Sequence, residues 1–211
     1  MTGVAGSRAR RLAALLGGTP LHPQWLLGRG NRLKRRLGQV DPGRVLDIGC
    51  ADRWVERALP AGCHYIGLDY PATGAVLYGA HPDLFADAAR LPLPDASVDT
   101  VVMLEVIEHL REPRQALAEA ARVLRPGGRL LLSMPFIYPI HDAPHDYQRL
   151  TVHGLLRDIE AVGLDARSCE PTLGSAETGG LIASLALGGM AVEAVERRHP
   201  SMLLLPAVLL A

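Results

Sequence analysis

The sequence predicts an α/β fold in which one mostly parallel sheet is covered by helices on both faces. Three observations lead there. From residue 44 to about residue 170, short apolar runs alternate with helical patterns, as parallel strands joined by crossover helices require. One run, Val98–Leu104, is nearly all apolar, which suits a strand buried on both faces. The length of 211 residues, with 48% hydrophobic and 21% charged side chains, suits one domain whose core needs no staples. The same composition excludes a wholly disordered chain. Aromatics at 4% leave too few rings for base-stacking platforms, so nucleic acid is not an expected partner.

Residues 1–43 read as a basic N-terminal arm with a helical extension. Trp25, Leu26, Leu33 and Leu37 share one helical stripe, weakened by Gly28 and Gly30. Asp41-Pro42-Gly43 is a turn and a boundary. Residues 44–172 form the α/β domain. Arg44–Ile48 is the first strand, residues 52–59 give two helical turns before Pro60, and His64–Leu68 is the second strand. Leu84–Ala86 is a weak third and Val98–Leu104 a strong fourth. Pro113–Leu124 is a helix with Pro at its start, ended by Pro126-Gly127-Gly128. Arg129–Met134 is the fifth strand. Thr151–Val162 is a helix with Thr151 as N-cap and Gly163 at its stop. Ala166–Glu170 is expected as a sixth strand. Residues 173–211 form an apolar C-terminal extension in which no strand is placed.

Charge divides unevenly. Residues 1–44 hold nine basic side chains and one acid, Asp41, while the whole chain is neutral. The remainder is therefore strongly acidic, which disfavours a polyanionic substrate. The basic arm and the apolar stretch Ser201–Ala211 point to peripheral contact with an anionic membrane surface. No run reaches the roughly 20 apolar residues of a membrane span. Cys50, Cys63 and Cys169 show no metal or disulfide spacing, and a reducing, cytoplasmic setting fits them.

Ligands of open parallel sheets bind beyond the carboxyl ends of the strands. Four strand ends in succession carry an acid there: Asp47, Asp69, Asp87 and Glu105. Singly, each could be an N-cap for the next helix. In series they are harder to dismiss, and the acid ending the second strand, Asp69, is placed to accept hydrogen bonds from a ribose diol. The first turn reads Asp47-Ile48-Gly49-Cys50-Ala51-Asp52. It lacks the second and third glycines of a dinucleotide fingerprint, so the phosphate cradle is poor. A nucleoside without phosphates fits better, and S-adenosylmethionine is one.

Six segments in order carry a family resemblance: Val45-Leu46-Asp47-Ile48-Gly49-Cys50, Tyr65-Ile66-Gly67-Leu68-Asp69, Ala86-Asp87-Ala88-Ala89-Arg90-Leu91-Pro92, Asp95-Ala96-Ser97-Val98-Asp99, Glu105-Val106-Ile107-Glu108-His109-Leu110 and Arg122-Val123-Leu124-Arg125-Pro126-Gly127-Gly128. Over residues 44 to about 165 the chain resembles the class I S-adenosylmethionine-dependent methyltransferases, a Rossmann-like family, in its branch acting on small-molecule and lipid-like acceptors. The resemblance implies that Asp47, Gly49, Cys50 and Ala51 shape the loop under the methionine part of the cofactor. It implies that Asp69 binds the ribose hydroxyls with Tyr70 near the adenine, that Asp87 and the backbone of Ala88 meet the adenine, and that Glu105 lies near the sulfonium. The family loop usually reads Gly-x-Gly. Here Ala51 stands at the second glycine, and its Cβ costs free energy if that position needs positive φ.

The segment from Pro135 to Arg149 follows the fifth strand and is expected to line the acceptor pocket, with Tyr138, Asp146, Tyr147 and Arg149. His141 and His145 are candidate general bases, since His titrates near neutrality. His109 is a candidate pocket-lining residue. Pro139 and Pro144 argue against a helix that would align the two histidines for a metal, and no metal is expected. The expectation is therefore methyl transfer to an O or N atom of a small-molecule or lipid-like acceptor. The alternative is a non-catalytic Rossmann-like binding or scaffold protein that has lost the cofactor, motivated by Ala51. Neither the acceptor nor the oligomeric state follows from the sequence.

Overall fold

The computed structural model describes residues 29–78 and 81–197. It divides into two compact units, one of residues 34–170 and one of the residues before 34 with those from 171 on.

The first unit is built on a five-stranded sheet of β1 (Arg44–Ile48), β2 (His64–Asp69), β3 (Leu84–Phe85), β4 (Val98–Leu104) and β5 (Leu124–Ser133). The order is β3-β2-β1-β4-β5, and every pair is parallel. The order reverses between β1 and β4. The crevice beyond their carboxyl ends is thus the position at which this architecture binds ligands. Period-two alternation along the strands builds a core on each face. Val45 and Val102 pack with Leu37, Val40 and Val55 on one side. Leu46, Ile48, Val101 and Met103 pack on the other with Ala116, Leu117 and Ala120 of a helix spanning Pro113–Val123. The helix α1 (Arg29–Leu37) ends in Leu37, which is fully buried. The basic segment is therefore part of the packed structure from residue 34 on, while Trp25, Leu26 and Arg8–Arg11 lie outside the described residues. The Pro113–Val123 helix (α2) opens with Pro at its first position. In α3 (Val152–Ala161) the Thr151 hydroxyl accepts the Gly154 N–H at 3.1 Å, the cap expected from sequence.

The second unit contains α4 (Ser175–Arg197). The Gly174 N–H donates to Glu177 Oε2 at 2.6 Å, one half of a capping box. Arg32 donates to the carbonyl of Thr172 at 2.9 Å. The apolar stretch Leu181–Val192 is part of this helix. Among the described residues no helix is long and apolar enough to cross a membrane. Ser201–Ala211 lies outside them.

Three local expectations are corrected. Residues 52–59 do not form two helical turns: tight turns run to Val55, followed by a single 3-10 turn at Glu56–Ala58. Arg53 has φ +59°, outside the helical region. Ala166–Glu170 is an exposed, irregular segment and not a strand; it lacks the apolar alternation that would hold it against the sheet. Pro126-Gly127-Gly128 does not separate helix from strand. β5 already begins at Leu124 opposite Val98, and the ladder shifts register before resuming at Thr100 and Arg129, as a bulge does.

Candidate active site

The parallel sheet brings Asp47, Asp69, Asp87 and Glu105 to one edge. Asp69 is 5% exposed and organises two loops. Its Oδ2 accepts the Ala51 N–H at 2.9 Å and its Oδ1 the Tyr70 N–H at 2.8 Å. The β1 and β2 tips are thereby held on one carboxylate. Carboxylates present about four acceptor positions, so a diol can still bind there. Gly74 keeps the flank of Asp69 clear: a Cβ at that position would lie 2.6 Å from Oδ1.

The β1 loop is sharply bent. Gly49, Ala51 and Arg53 have φ of +78°, +42° and +59°. Ala51 thus occupies the left-handed region in which glycine is favoured, and the Gly-x-Gly departure is absorbed as backbone strain. Such strain clusters where a site is over-determined by its surroundings. The N–H groups of Gly49 and Cys50 both donate to the Leu68 carbonyl, at 2.8 and 3.1 Å. Arg53 supports the loop from outside. Its guanidinium lies 4.7 Å from the centre of the Tyr65 ring and 3.1 Å from Asp83 Oδ1, while Asp83 Oδ2 accepts the Gly67 N–H at 2.7 Å.

Asp47 is buried below this loop and accepts the Tyr65 hydroxyl at 2.6 Å. Burial pushes its carboxyl up to about 7, against the opposing hydrogen bond from Tyr65. Burial also pushes the Cys50 thiol up to about 12, so this cysteine is not a nucleophile at neutral pH. The folded chain holds the Asp47 proton more tightly than the unfolded chain, in which Asp titrates near 3.9. The resulting stabilisation is complete below about pH 4 and is lost as pH rises through about 7. Relative to Asp47→Asn, the unchanged protein is expected to lose stability between pH 4 and 7, by up to about 1.4 kcal/mol per pH unit. Urea unfolding of both proteins across that range measures it; parallel profiles would mean that Asp47 is ionised throughout.

At the third tip, Asp87 Oδ1 accepts the Ala89 N–H at 2.9 Å, and Ala88 is buried. This turn is fixed by a residue that sequence reasoning did not single out. Arg122 donates to the carbonyls of Leu91 and Leu93 at 3.0 and 2.9 Å and pairs with Glu119 and Asp95. At the fourth tip Glu105 takes φ +58°, and its carboxylate accepts the Ser133 hydroxyl at 2.7 Å. Tyr70 is 46% exposed at the mouth of the β2 tip.

The segment after β5 docks on the turn that follows β4. The Tyr147 N–H donates to the Glu108 carbonyl at 2.9 Å. The Gln148 amide donates to the carbonyls of Ile107 and Leu110, and His109 Nδ1 meets the His145 carbonyl at 2.7 Å. His141 stands 4.9 Å from His109, centre to centre, and 5.1 Å from Tyr138. Arg149 pairs with Asp146 and holds its carboxyl well below the usual range. His145 is not paired with His141. Its ring faces Tyr147, with Nδ1 3.4 Å from the phenol oxygen. The neighbour of His141 is instead His109, 32 positions earlier in the sequence, a proximity that local spacing could not reveal.

The methyltransferase-domain family matches residues 46–132. A probable S-adenosylmethionine-dependent methyltransferase of Mycolicibacterium smegmatis is 37% identical over 177 residues, covering 78% of this chain and 68% of that one. The chain belongs to the S-adenosylmethionine-dependent methyltransferases. The 27-O-demethylrifamycin SV methyltransferase of Amycolatopsis mediterranei is 49% identical over 129 residues, 51% of this chain and 46% of that one; this chain thus spans about half of that relative. A SAM-dependent methyltransferase of Thermotoga maritima shares the fold with a TM-score of 0.55 at 20% identity, covering 74% of this chain and 78% of that one. The cofactor of this methyltransferase family is S-adenosylmethionine, and the residues present fit it. Asp69 retains acceptor capacity for the ribose, and the acids at the strand ends suit a sulfonium.

Proposed function

We propose that this methyltransferase acts on an oxygen of a small, largely apolar acceptor. Bound S-adenosylmethionine supplies an activated methyl group, so the chain's own contribution is positioning and exclusion of water. Asp47, Gly49 and Ala51 shape the bed for the amino-acid part. Asp69 takes the ribose, Tyr70 packs near the adenine, and Asp87 with the Ala88 backbone meets the ring. Glu105 lies toward the sulfonium. His109, Tyr138, His141, Tyr147 and Arg149 line the acceptor side, where an imidazole of His141 or His145 takes the proton of an acceptor hydroxyl. The observation that carries the acceptor class is the loop after β5: Phe136, Ile137 and Ile140 are 56%, 56% and 81% exposed. Three large apolar side chains beside a polar cluster suit a ligand with an apolar body and a polar end. The name of the Amycolatopsis relative, which carries an O-demethyl substrate, favours oxygen. The three unpaired cysteines favour a reducing, cytoplasmic setting.

Matched acceptor pairs test the reading. Phenols with and without an alkyl chain are incubated with S-adenosylmethionine, and the product is identified by mass. The expected result is O-methylation, with kcat/KM at least tenfold higher for the alkylated member. Transfer to nitrogen alone, or indifference to the chain, would contradict it.

A further inference from the structure

The turn after β4 contains a carboxylate for which the transfer reaction has no use. Glu108 is wholly buried, and among the described residues no other residue donates a hydrogen bond to either of its carboxylate oxygens. Burying a carboxylate is costly, and either a proton or a bound cation relieves that cost. Two imidazoles stand beside it. His109 Nε2 lies 3.8 Å from Glu108 Oε1, and one donor atom each from Glu108, His109 and His141 lie within 4.8 Å of one another. Metal–ligand bonds of about 2.0–2.2 Å place donors about 3–4 Å apart around one ion, so small side-chain adjustments suffice.

Both histidines are held as metal ligands are held. His109 Nδ1 donates to the His145 carbonyl at 2.7 Å, leaving the lone pair on the Nε2 that faces Glu108. His141 Nδ1 lies 3.2 Å from the Pro139 carbonyl and 3.3 Å from Asp146 Oδ2. These two acceptors are nearer than the Arg149 Nη2 donor at 3.5 Å, and together they favour the proton on Nδ1. Asp146 is in turn fixed by Arg149 and by the His141 N–H at 2.9 Å. A carboxylate or carbonyl behind each imidazole is the usual outer support of a ligating histidine.

We propose that Glu108, His109 and His141 bind a divalent transition-metal ion of the zinc class. Two imidazoles and a carboxylate are borderline donors, which select Zn2+ or Co2+ over Mg2+ and Ca2+. Three protein ligands leave a coordination position open. Resting on the reading of the preceding subsection, with His145 as the base because His141 would be ligated, that position would take the acceptor oxygen and ease loss of its proton to the His145 imidazole before the methyl group arrives.

The test uses the full chain after dialysis against a chelator. Zn2+ is titrated calorimetrically, and Co2+ is followed by its visible ligand-field bands. One ion per chain is expected to bind saturably. Affinity should fall at least about tenfold in His109→Ala and in His141→Ala, the latter with a side chain 29% exposed and a small effect on folding. S-adenosylhomocysteine binding is measured on the same samples. Absence of saturable metal binding, or binding by both variants as tight as that of the unchanged chain, would overturn the site. Metal binding without S-adenosylhomocysteine binding would uphold the site and overturn the methyltransferase reading instead.

Discussion

Asp69→Ala is expected to weaken S-adenosylhomocysteine binding by at least 100-fold, about 2.8 kcal/mol. The carboxylate anchors the Ala51 and Tyr70 N–H groups at 2.9 and 2.8 Å and is the group proposed above to take the ribose. Hydrogen bonds to a charged group contribute about 1.5–3 kcal/mol each, so losing the diol and the loop that carries it exceeds the effect of one contact. The fold should survive, because burial raises the Asp69 pKa and its removal relieves that cost. Asp69→Asn retains one acceptor oxygen and should fall between the two. Equal binding by all three proteins would mean that the ribose lies elsewhere.

Gly49→Ala is expected to have the largest effect on stability. A Cβ there would stand 2.5 Å from Val106 Cγ2 on a backbone with φ +78°. The left-handed backbone costs a residue with Cβ about 1 kcal/mol, and overpacking costs about 1–3 kcal/mol more. Urea unfolding should show a loss of about 2–4 kcal/mol together with weakened cofactor binding. The two parts separate: adding Val106→Ala should recover the steric part and leave the backbone part. A double variant no more stable than Gly49→Ala would contradict this division.

The strongest strands were legible because the apolar residues of β1 and β4 are buried on both faces, and Thr151 announced its own cap. The parallel order placed the four strand-end acids at one edge, as their positions in the sequence implied. The failures are equally physical. Residues 52–59 have helical composition, yet the β1 turn drives Arg53 into the left-handed region and ties it to Asp83. Ala166–Glu170 has a strand's length but no apolar face to hold it against the sheet. Glu108 lies inside the Glu105–Leu110 segment, but nothing in Glu-Val-Ile-Glu-His distinguishes a carboxylate sealed in the core from one in water. Its depth is set by the Pro135–Arg149 segment folding over it, a long-range event with no local signature. Arg122 lies near a helix end, and no local pattern announces that its guanidinium fixes the turn beyond β3.

The cofactor site is tested most directly by calorimetric titration of the intact chain with S-adenosylhomocysteine, paired with thermal unfolding. The structure predicts saturable micromolar binding at one site per chain and, at 100 times the Kd, added stability of about 2.7 kcal/mol. A folded chain giving neither heat of binding nor a shift in Tm would contradict it, and the strained Gly49-Cys50-Ala51 loop would then mark a scaffold protein that retains the fold without the cofactor.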